Sequence, residues 1–292
     1  MKIAINSRPL LAEHYLFIKN LYFFLIEKKV ELQVSPIFYK WLEDNKLTVD
    51  NVEIFHSFDD LDADNKYVIS IGGDGTFLET VTYVGTKEIP ILGINAGRLG
   101  FLATVSLENI SKALEDLLLG EMQIEQRTII SLESNKDLFN GVNFAVNEFA
   151  ILKKDTSSMI VVDAYLNGKH LNSYWSDGLI ISTPTGSTGY SLSCGGPLLM
   201  PQVSAFIISP VSPHNLNVRP LVVPDNCELT FKIEDRQKKF LVALDSRSKP
   251  VDPNVELKVK KANFKLNLLA FEGADFLSTL RKKLLWGLDS RN

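Results

Sequence analysis

The fold of this chain is decided by the stretch Tyr67-Val68-Ile69-Ser70-Ile71-Gly72-Gly73-Asp74-Gly75-Thr76. Its first half is mostly apolar and predicts a buried strand, whereas its second half is rich in glycine, so that the backbone there can approach another group closely. A helix is predicted to follow from about Phe77 to Val84. Such a turn after a parallel strand lies at the carboxyl edge of a sheet, where α/β proteins bind ligands, and the free N–H groups of the next helix favour phosphate there.

This glycine turn fits neither of the common nucleotide-binding patterns. Leu78 occupies the third glycine position of GxGxxG, and GxxxxGK[ST] does not occur in the chain. Asp74 would repel phosphates bound beside it, unless Mg²⁺ is bound or the carboxylate serves as a proton acceptor. The structural alternative is a tight turn in which Asp74 caps the next helix.

On both sides of this stretch, strand and helix patterns alternate. We predict a strand over residues 2–6, a helix over 15–29, and further strands over 34–38 and 89–94. Strands separated by helices in this rhythm predict a parallel sheet with crossover connections. The first part of the chain is therefore expected to be an α/β domain.

After Phe101 the pattern changes to strand after strand. One helix is predicted over 108–119, and strands are predicted over 123–132, 143–152, 160–166, 178–182, 206–209, 228–234, 239–244 and 256–271. Loops that contain Gly, Pro, Asn and Asp separate these strands, as is typical of an antiparallel sandwich.

A last helix is predicted from Asp275 to Trp286. Its apolar face consists of Phe276, Leu277, Leu280, Leu284 and Leu285. We expect this face to pack back on the first domain. The predicted domains are thus residues 1–103 with 272–292, an α/β domain, and residues 104–271, a β-sandwich domain.

A second glycine-rich turn, Gly93-Ile94-Asn95-Ala96-Gly97-Arg98-Leu99-Gly100-Phe101, follows the next predicted strand and so lies at the same sheet edge. Its composition suits a loop that lines a crevice, in which Arg98 faces phosphate oxygens. An ordinary turn between domains is an equally good interpretation of this stretch alone.

The segment from Ser176 to Pro197 is the most unusual in the sequence. A short apolar strand leads into Thr183-Pro184-Thr185-Gly186-Ser187-Thr188-Gly189-Tyr190, a dense cluster of hydroxyls and glycines. Exposed N–H and hydroxyl groups at such a turn form a concave donor surface for phosphate or sugar, and Tyr190 offers a ring on which a base can stack. A flexible Ser/Gly loop is the alternative.

The pair Asn147-Glu148 interrupts an apolar run. Adjacent strand residues point to opposite faces, so one of the two polar side chains is expected to face the apolar side, where an unpaired polar group costs about 1–3 kcal/mol. That cost favours a ligand partner, and a carboxylate beside an amide suits a ribose diol. A β-bulge with internal hydrogen bonds is the alternative. His214, in the rigid loop after the strand 206–209, is interpreted as a structural histidine rather than a phosphate contact.

The composition narrows the class of protein. The 292 residues carry a net charge of −4, without the basic excess of a nucleic-acid-binding surface. The two cysteines are too few for a disulfide framework and lie at no zinc-ligand spacing, so we predict a cytoplasmic protein and no metal site built by protein side chains. No stretch approaches the length of a membrane span, and no membrane partner is expected.

Taken together, these stretches resemble the NAD kinase family. The matching pieces are Gly72–Thr76, Gly97–Phe101, Asn147-Glu148, Ser176–Tyr190, Ser209–Pro224 and Leu244-Asp245-Ser246. The glycine turn alone also resembles diacylglycerol-kinase-type lipid kinases and phosphofructokinases, whereas its combination with the later pieces is specific.

The resemblance implies the fold and the reaction. The family fold is a Rossmann-like or phosphofructokinase-like α/β domain followed by a β-sandwich domain, assembled as a homo-oligomer, here a dimer or tetramer. The reaction is phosphorylation of the 2′-hydroxyl of the adenosine ribose of NAD by ATP, giving NADP. Mg²⁺ is expected to be bound through the ATP phosphates and water. A lipid kinase, and a noncatalytic dinucleotide-binding protein of the same fold, are the alternatives.

The resemblance also implies roles for individual residues. Asp74 is expected to be the proton acceptor, with Gly75 beside it at the dinucleotide and Phe101 at the border of the adenine pocket. Asn147 and Glu148 are expected to hold the adenosine ribose. The adenine half is expected to lie against Thr188, Gly189, Tyr190, Ser191, Leu192 and Ser193. Asp177 is expected near the nicotinamide end, in some members across a subunit contact.

Four positions depart from the pattern common in the family. Gly189 stands where Ala is frequent, which is expected to open the pocket slightly. Glu79 replaces a basic residue, which puts a phosphate contact there in doubt. Ser246-Arg247 replaces Gly-Gln, and Arg98 stands where many members have His. These differences bear on substrate detail more than on the type of reaction.

Overall fold

The structure, a computed structural model, describes residues 1–47, 52–154, 159–234, 239–271 and 275–285. The chain divides into two compact units, residues 1–126 with 266–292 and residues 127–265. The predicted boundaries at 103/104 and 271/272 thus differ from the observed ones. The reason is that the helix after Ser106 and two strands, one before residue 127 and one after 265, belong to the α/β unit.

The first unit is built on a mainly parallel sheet. Its strands are β1 (Lys2–Ser7), β2 (Glu31–Val34), β3 (Val52–Ile54), β4 (Tyr67–Gly72), β5 (Ile91–Asn95), β6 (Val105–Ser106), β7 (Gln123–Arg127) and β20 (Leu266–Ala270). Their order among the described residues is β3-β2-β1-β4-β5-β20-β7, with β6 also paired to β5. The order 3-2-1-4-5 is that of the first five strands of a Rossmann-like sheet, and it confirms the predicted α/β fold.

The helices of this unit cover the sheet with apolar side chains. They are α1 (Tyr15–Glu27), α2 (Pro36–Asp44), α3 (Asp74–Val84), α4 (Ile110–Leu119) and α6 (Phe276–Leu284). Ile18, Leu21 and Leu25 of α1 are buried in one hydrophobic cluster with Ile5 and Ile69 of the sheet. Because β1, β4 and β5 are parallel neighbours, the turns that follow them share one edge of the sheet.

The strand predicted over 34–38 is wrong. β2 ends at Val34, and Pro36 is the first residue of α2, with Ser35 extended at the N-cap. Proline lacks an N–H and has a fixed φ, so it suits the first turn of a helix and interrupts a strand.

The second unit is an antiparallel sandwich. One sheet has the order β15-β14-β13-β10-β17-β18 and the other β12-β11-β16-β19-β8-β9. The strands are β8 (Ile130–Ser134), β9 (Phe144–Ala145), β10 (Glu148–Lys153), β11 (Ile160–Leu166), β12 (Lys169–Ser176), β13 (Gly178–Ser182), β14 (Ala205–Val211), β15 (Leu221–Pro224), β16 (Leu229–Glu234), β17 (Phe240–Leu244), β18 (Arg247–Val251) and β19 (Leu257–Lys261). The rings of Phe149 and Phe231, one from each sheet, stack at 5.7 Å between centroids, which confirms the predicted sandwich.

Three strands predicted as continuous are each divided in two. The runs 123–132 and 256–271 each leave one unit and enter the other, as β7 and β8 and as β19 and β20. The run 143–152 is interrupted at Val146 and Asn147, because their N–H groups bind a side chain instead of a neighbouring strand. The strands β12, β15 and β18 of this unit were not predicted, and neither were β3 and β6 of the first unit.

Helix α6 belongs to the first unit, as predicted, although its apolar face is only partly covered. Leu280 is buried, and the ring of Phe276 lies 5.9 Å from that of Phe101. In contrast, Leu277, Leu284 and Leu285 are exposed. Trp286, the predicted last residue of the helix, lies outside the described residues. Among the described helices, none is both long and apolar enough to cross a bilayer.

Candidate active site

Asp74 begins helix α3, but its side chain does not cap that helix. Gly73 is the N-cap, and the Asp74 carboxylate instead accepts hydrogen bonds from three consecutive backbone N–H groups. Phe101 N donates to Oδ2 at 2.9 Å, Leu102 N to Oδ1 at 2.9 Å and Ala103 N to Oδ1 at 3.2 Å. The interpretation of Asp74 as a helix cap is therefore wrong, and the first glycine turn is joined to the loop after β5 through this carboxylate.

Gly100 allows the carboxylate to lie this close to the loop. A Cβ atom added at Gly100 would stand 2.0 Å from Asp74 Oδ1, a distance that no side chain can adopt without displacing the carboxylate. Gly97, in the same loop, has open space around its missing side chain, with Asn95 Oδ1 no closer than 4.0 Å. Of these two glycines, only Gly100 is required by the contact with Asp74.

The environment of Asp74 favours the ionised form. Burial by itself raises the pKa of this carboxyl, but the N–H groups of Phe101 and Leu102, the ammonium of Lys283 and the N–H of Ala103 together outweigh burial. The pKa of Asp74 consequently lies below its usual value. At neutral pH the group is an anion, so it is able to accept a proton.

The last helix contributes to this environment. Lys283 of α6 places its Nζ atom 3.2 Å from Asp74 Oδ2 and 4.8 Å from the centroid of the Phe101 ring. The Phe101 ring, which belongs to the loop that holds Asp74, thus lies against the last helix. Nothing in the sequence pattern pointed to Lys283, which is separated from Asp74 by 209 residues.

The remaining predicted residues of the first unit lie at the same sheet edge. Gly75 is in the first turn of α3, with open space where a side chain would be. Arg98 is exposed. Glu79 forms an ion pair with Arg8, which follows β1, at 3.0 Å. A basic group is therefore present at this edge, although position 79 itself carries an acid.

A cavity lies beside the second glycine-rich turn. Its volume is about 400 Å³, and Asn95, Gly97, Phe17, Glu13 and Glu108 are among the residues that line it. The Asn95 side chain is used within the loop, since it donates to Arg98 O at 2.7 Å and accepts from Gly97 N at 2.7 Å. The two carboxylates disfavour phosphate in this cavity.

In the second unit, the interruption at Asn147 is caused by Asp245. Its carboxylate accepts the N–H groups of Val146 at 3.0 Å, Asn147 at 2.8 Å and Glu148 at 3.2 Å. The pair Asn147-Glu148 therefore lies at the bend where the chain passes from β9 in one sheet to β10 in the other. The alternative of a β-bulge within one continuous strand is wrong, because the two strands have different sheet partners. The Leu244-Asp245-Ser246 strand end was part of the sequence pattern, but no role was predicted for Asp245.

Glu148 is only partly compensated at this bend. Its Oε2 atom is buried and has no hydrogen-bond partner among the described residues. Burial and repulsion from Asp245 raise the pKa of Glu148 to about 7, although the N–H of Tyr190 opposes the shift. A buried, unpartnered carboxyl oxygen is what the sequence predicted for this pair, and it favours a ligand partner.

Arg247 stabilises the chain just before the same bend. Its guanidinium donates to Val142 O at 2.6 Å and to Phe144 O, and it lies 5.7 Å from the centroid of the Phe139 ring. Burial raises the pKa of the Asp245 carboxyl, and the positive charge of Arg247 opposes that shift. Arg247 thus has a structural role that is consistent with its departure from the family pattern.

The hydroxyl-rich segment after β13 has a fixed shape, as predicted, but its hydroxyls do not form an open donor surface. They are used internally: Ser182 and Thr183 bind backbone carbonyls around Asn147, Ser187 binds Leu199, Thr188 binds Thr185 at 3.1 Å, and Ser191 binds Ser209 at 2.9 Å. For these five hydroxyls, the prediction of a free donor surface is therefore wrong. The reason is that a dense Ser/Thr cluster in a tight turn satisfies its own backbone first.

The other predicted residues of this segment lie on a short turn and helix. A 3-10 turn, Thr185–Thr188, leads through Gly189 into α5 (Tyr190–Ser193). Tyr190 and Ser193 are exposed, Leu192 is half-buried and Ser191 is buried. A Cβ atom at Gly189 would stand 2.9 Å from Glu148 Oε2, so the space gained by glycine is filled by that carboxylate.

Asp177 and His214 are held by neighbours within the second unit. Asp177 Oδ1 lies 2.6 Å from Lys153 Nζ at the turn between β12 and β13. The His214 ring packs edge-on against Trp175 at 6.0 Å, and its backbone N–H donates to Trp175 O. The structural interpretation of His214 therefore agrees with its contacts.

Comparison with known proteins identifies relatives along the whole chain. Residues 33–122 match the profile of the ATP-NAD kinase N-terminal domain, and residues 146–271 match that of the ATP-NAD kinase C-terminal domain. The chain is 47% identical over 293 residues to the NAD kinase of Cytophaga hutchinsonii and 48% identical over 294 residues to that of Flavobacterium psychrophilum, with 100% of each chain covered in both cases.

Solved structures have the same fold. A yeast NADH kinase, crystallised with NADH, superposes with a TM-score of 0.86 at 20% identity and covers 99% of this chain and 88% of its own. An NAD kinase from Archaeoglobus fulgidus, in complex with ATP, superposes with a TM-score of 0.73 at 26% identity and covers 96% of this chain and 99% of its own.

Proposed function

Because the chain belongs to the NAD kinase family, we propose that it transfers the γ-phosphoryl group of ATP to the 2′-hydroxyl of the adenosine ribose of NAD, giving NADP and ADP. The observation that supports this proposal most directly is the Asp74 carboxylate, which three consecutive N–H groups keep anionic at the carboxyl edge of the sheet.

Asp74 serves as the proton acceptor in this proposal. A bond forms between the ribose 2′-oxygen and the γ-phosphorus while the bond to the ADP oxygen breaks, and the proton of the hydroxyl passes to the carboxylate. The hydroxyl becomes strongly acidic only as its bond to phosphorus forms, so a carboxylate with a lowered pKa is able to take the proton late.

The dinucleotide contacts are carried over from the family pattern. We propose that Asn147 and Glu148 hold the adenosine ribose, because Glu148 Oε2 is a buried acceptor in need of a donor. The segment from Thr188 to Ser193 contacts the adenine half in this proposal. Gly75 lies beside Asp74 at the dinucleotide, and Phe101 borders the adenine pocket. Asp177 lies near the nicotinamide end in this proposal.

A divalent cation fits this arrangement when it is brought in by ATP. Among the described residues there is no group of three or more His, Cys, Asp and Glu side chains that could hold a metal ion, and the lone pairs of Asp74 are already directed at N–H donors and Lys283. Mg²⁺ commonly keeps its waters and binds through substrate phosphates. It supplies charge neutralisation on the ATP oxygens, whereas Asp74 handles the proton.

The substitution Asp74→Asn tests the proposal. We expect turnover of NAD with ATP and Mg²⁺ to fall by roughly 10²- to 10⁴-fold, the size of a general-base effect, while the Kd for NAD stays close to wild type. NADP formation is measured by a coupled dehydrogenase, and NAD binding by calorimetry. Asp64→Asn, which changes an exposed carboxylate of the same unit, is the control and should leave both quantities unchanged.

Two other outcomes would decide for the alternatives. Phosphorylation of diacylglycerol in vesicles without NADP formation would indicate a lipid kinase. NAD binding without turnover by the wild-type protein would indicate a noncatalytic dinucleotide-binding protein. Equal losses of binding and turnover in Asp74→Asn would assign Asp74 a structural role.

The proposal also includes the cellular location and the oligomeric state of the enzyme. The described cysteines Cys194 and Cys227 are both free thiols, which supports a cytoplasmic location. We propose a homo-oligomer, dimer or tetramer, as in the family pattern. Light scattering after size exclusion measures the number of subunits.

A further inference from the structure

Lys283 lies outside both family-profile matches, yet it contacts the proposed proton acceptor. The matches cover residues 33–122 and 146–271, whereas Lys283 is in α6 near the end of the chain. Its Nζ atom lies 3.2 Å from Asp74 Oδ2, and both side chains are partly enclosed, with exposures of 35% and 27%. The contact is therefore neither a fully exposed ion pair nor a buried one.

The position of Lys283 is fixed by the packing of its helix. Asp275 caps α6 by accepting from Ser278 N at 2.9 Å, and Leu280 is buried one turn before Lys283. At the start of the helix, Phe276 packs against Phe101, whose own N–H binds Asp74. The helix and the loop that holds Asp74 thus share one contact surface, which brings Lys283 to the carboxylate.

The four donors around Asp74 differ in kind. Three are backbone N–H groups of a single loop, which cannot leave the carboxylate without a movement of that loop. The fourth is an ammonium on a flexible side chain, and it carries a full charge. A lysine ammonium has three N–H donors, so the bond to Asp74 leaves two of them for another anion.

We propose that Lys283 is a positioning residue for phosphoryl transfer: it neutralises and orients the Asp74 carboxylate while the negatively charged ATP phosphates approach. This inference rests on the proposed function, in which Asp74 accepts the proton. Without the ammonium, the carboxylate and the phosphates would repel each other at short range. In this proposal the ammonium of Lys283 offsets that repulsion. Its contact also fixes the orientation of Asp74 Oδ2, and the substrate is able to displace that contact.

The substitution Lys283→Met tests this role. We expect kcat to fall on the order of tenfold, the effect of losing a hydrogen bond to a charged group, while the KM for NAD changes less than about twofold. The acid limb of the kcat profile should move to higher pH, because Lys283 is the charged side chain that the described residues place against Asp74 and it lowers the pKa of that group. Lys283→Arg should recover most of the activity, and Lys282→Met, at an exposed neighbour, should behave as wild type.

A double substitution separates positioning from a structural role. If Lys283 acts through Asp74, adding Lys283→Met to Asp74→Asn should lower the residual rate by less than about twofold. A merely structural lysine would add its full loss in that background. Lys283→Gln keeps an N–H donor but removes the charge, and it should show the same shift of the acid limb. This second variant tests the role even if Lys283→Met fails to fold.

The failure of this inference is distinct from the failure of the proposed function. If Lys283→Met and Lys283→Gln keep the wild-type kcat and acid limb while Asp74→Asn is inactive, Lys283 has no positioning role and the proposed function stands. If the wild-type protein forms no NADP, or Asp74→Asn is as active as wild type, the proposed function itself is overturned.

Discussion

The two units use the same device on two different carboxylates. In the first unit, three consecutive N–H groups, from Phe101 to Ala103, bind Asp74. In the second unit, three consecutive N–H groups, from Val146 to Glu148, bind Asp245. In the first case the residue that is held is itself the proposed proton acceptor, whereas in the second it is a neighbour of the proposed ligand-binding residue.

This difference explains why the two candidate acids have opposite pKa shifts. Asp74 receives the N–H groups directly and has Lys283 beside it, so its pKa is lowered despite burial. Glu148 is buried next to Asp245, which takes the three N–H groups for itself, so the pKa of Glu148 is raised to about 7. One acid is prepared as an anion before any substrate arrives, and the other is left in need of a donor that a ribose diol would supply.

The largest loss of activity among the variants that test this comparison is expected from Gly100→Ala. Its Cβ atom would stand 2.0 Å from Asp74 Oδ1 and must displace the carboxylate or the loop. A displacement of about 1 Å at a reacting group lowers turnover by roughly 10²-fold, and we expect a loss of that size or larger in kcat, measured by NADP formation at saturating NAD and ATP.

Gly97→Ala is the matched control for this prediction. It changes a glycine of the same loop that has open space around it, so kcat should stay within about twofold of wild type. If the two alanine variants have equal activity, the contact between the loop and Asp74 is not needed for turnover.

A smaller effect, with a sign that depends on pH, is expected from Glu148→Gln. The folded protein holds a proton on Glu148 up to about pH 7, whereas the ordinary pKa is 4.5. Between these values the folded state binds more protons than the unfolded state, so the free energy of unfolding falls as pH rises. The substitution removes that loss and should stabilise the protein above pH 7 by at most about 3 kcal/mol, with no gain below about pH 4.5. Urea unfolding across this pH range measures the difference.

The same substitution should weaken NAD binding, since the ribose loses a charged acceptor. We expect a Kd for NAD about tenfold higher, measured by calorimetry at pH 8. Glu256→Gln, at an exposed carboxylate of the same unit, is the control for both measurements. A variant that is neither stabilised above pH 7 nor weaker in NAD binding would show that Glu148 is compensated in solution.

The sequence was sufficient to predict the two kinds of unit, and it singled out Asp74 and Asn147-Glu148 as candidate site residues. Alternation of strands and helices predicted the parallel sheet, and Gly72–Gly75 after an apolar run predicted the position of Asp74. The interruption of an apolar run by two polar residues predicted an unsatisfied group at Asn147-Glu148, and the structure places that group on Glu148.

The contacts that shift the pKa values of these acids could not be predicted from the sequence, because they join residues far apart in the chain. The pairs are Asp74 with Lys283, 209 residues away, and Asn147 with Asp245, 98 residues away. The two runs that pass from one unit to the other, 123–132 and 256–271, were predicted as single strands for a related reason. Local alternation gives no sign of a change of sheet partner, which depends on packing elsewhere.

The smallest effect is expected from Gly189→Ala, which introduces the residue that is frequent in the family. Its Cβ atom would stand 2.9 Å from Glu148 Oε2 and 3.2 Å from Gly186 O, and the backbone φ of −95° lies outside the left-handed region. The carboxylate is the end of a flexible side chain and can withdraw, so we expect the KM for NAD to change by only about two- to threefold, with kcat unchanged.

The effect should disappear in Glu148→Asp, whose shorter side chain removes the close contact. A change in KM of the same size in that background would mean that Gly189 acts on the dinucleotide directly and not through Glu148.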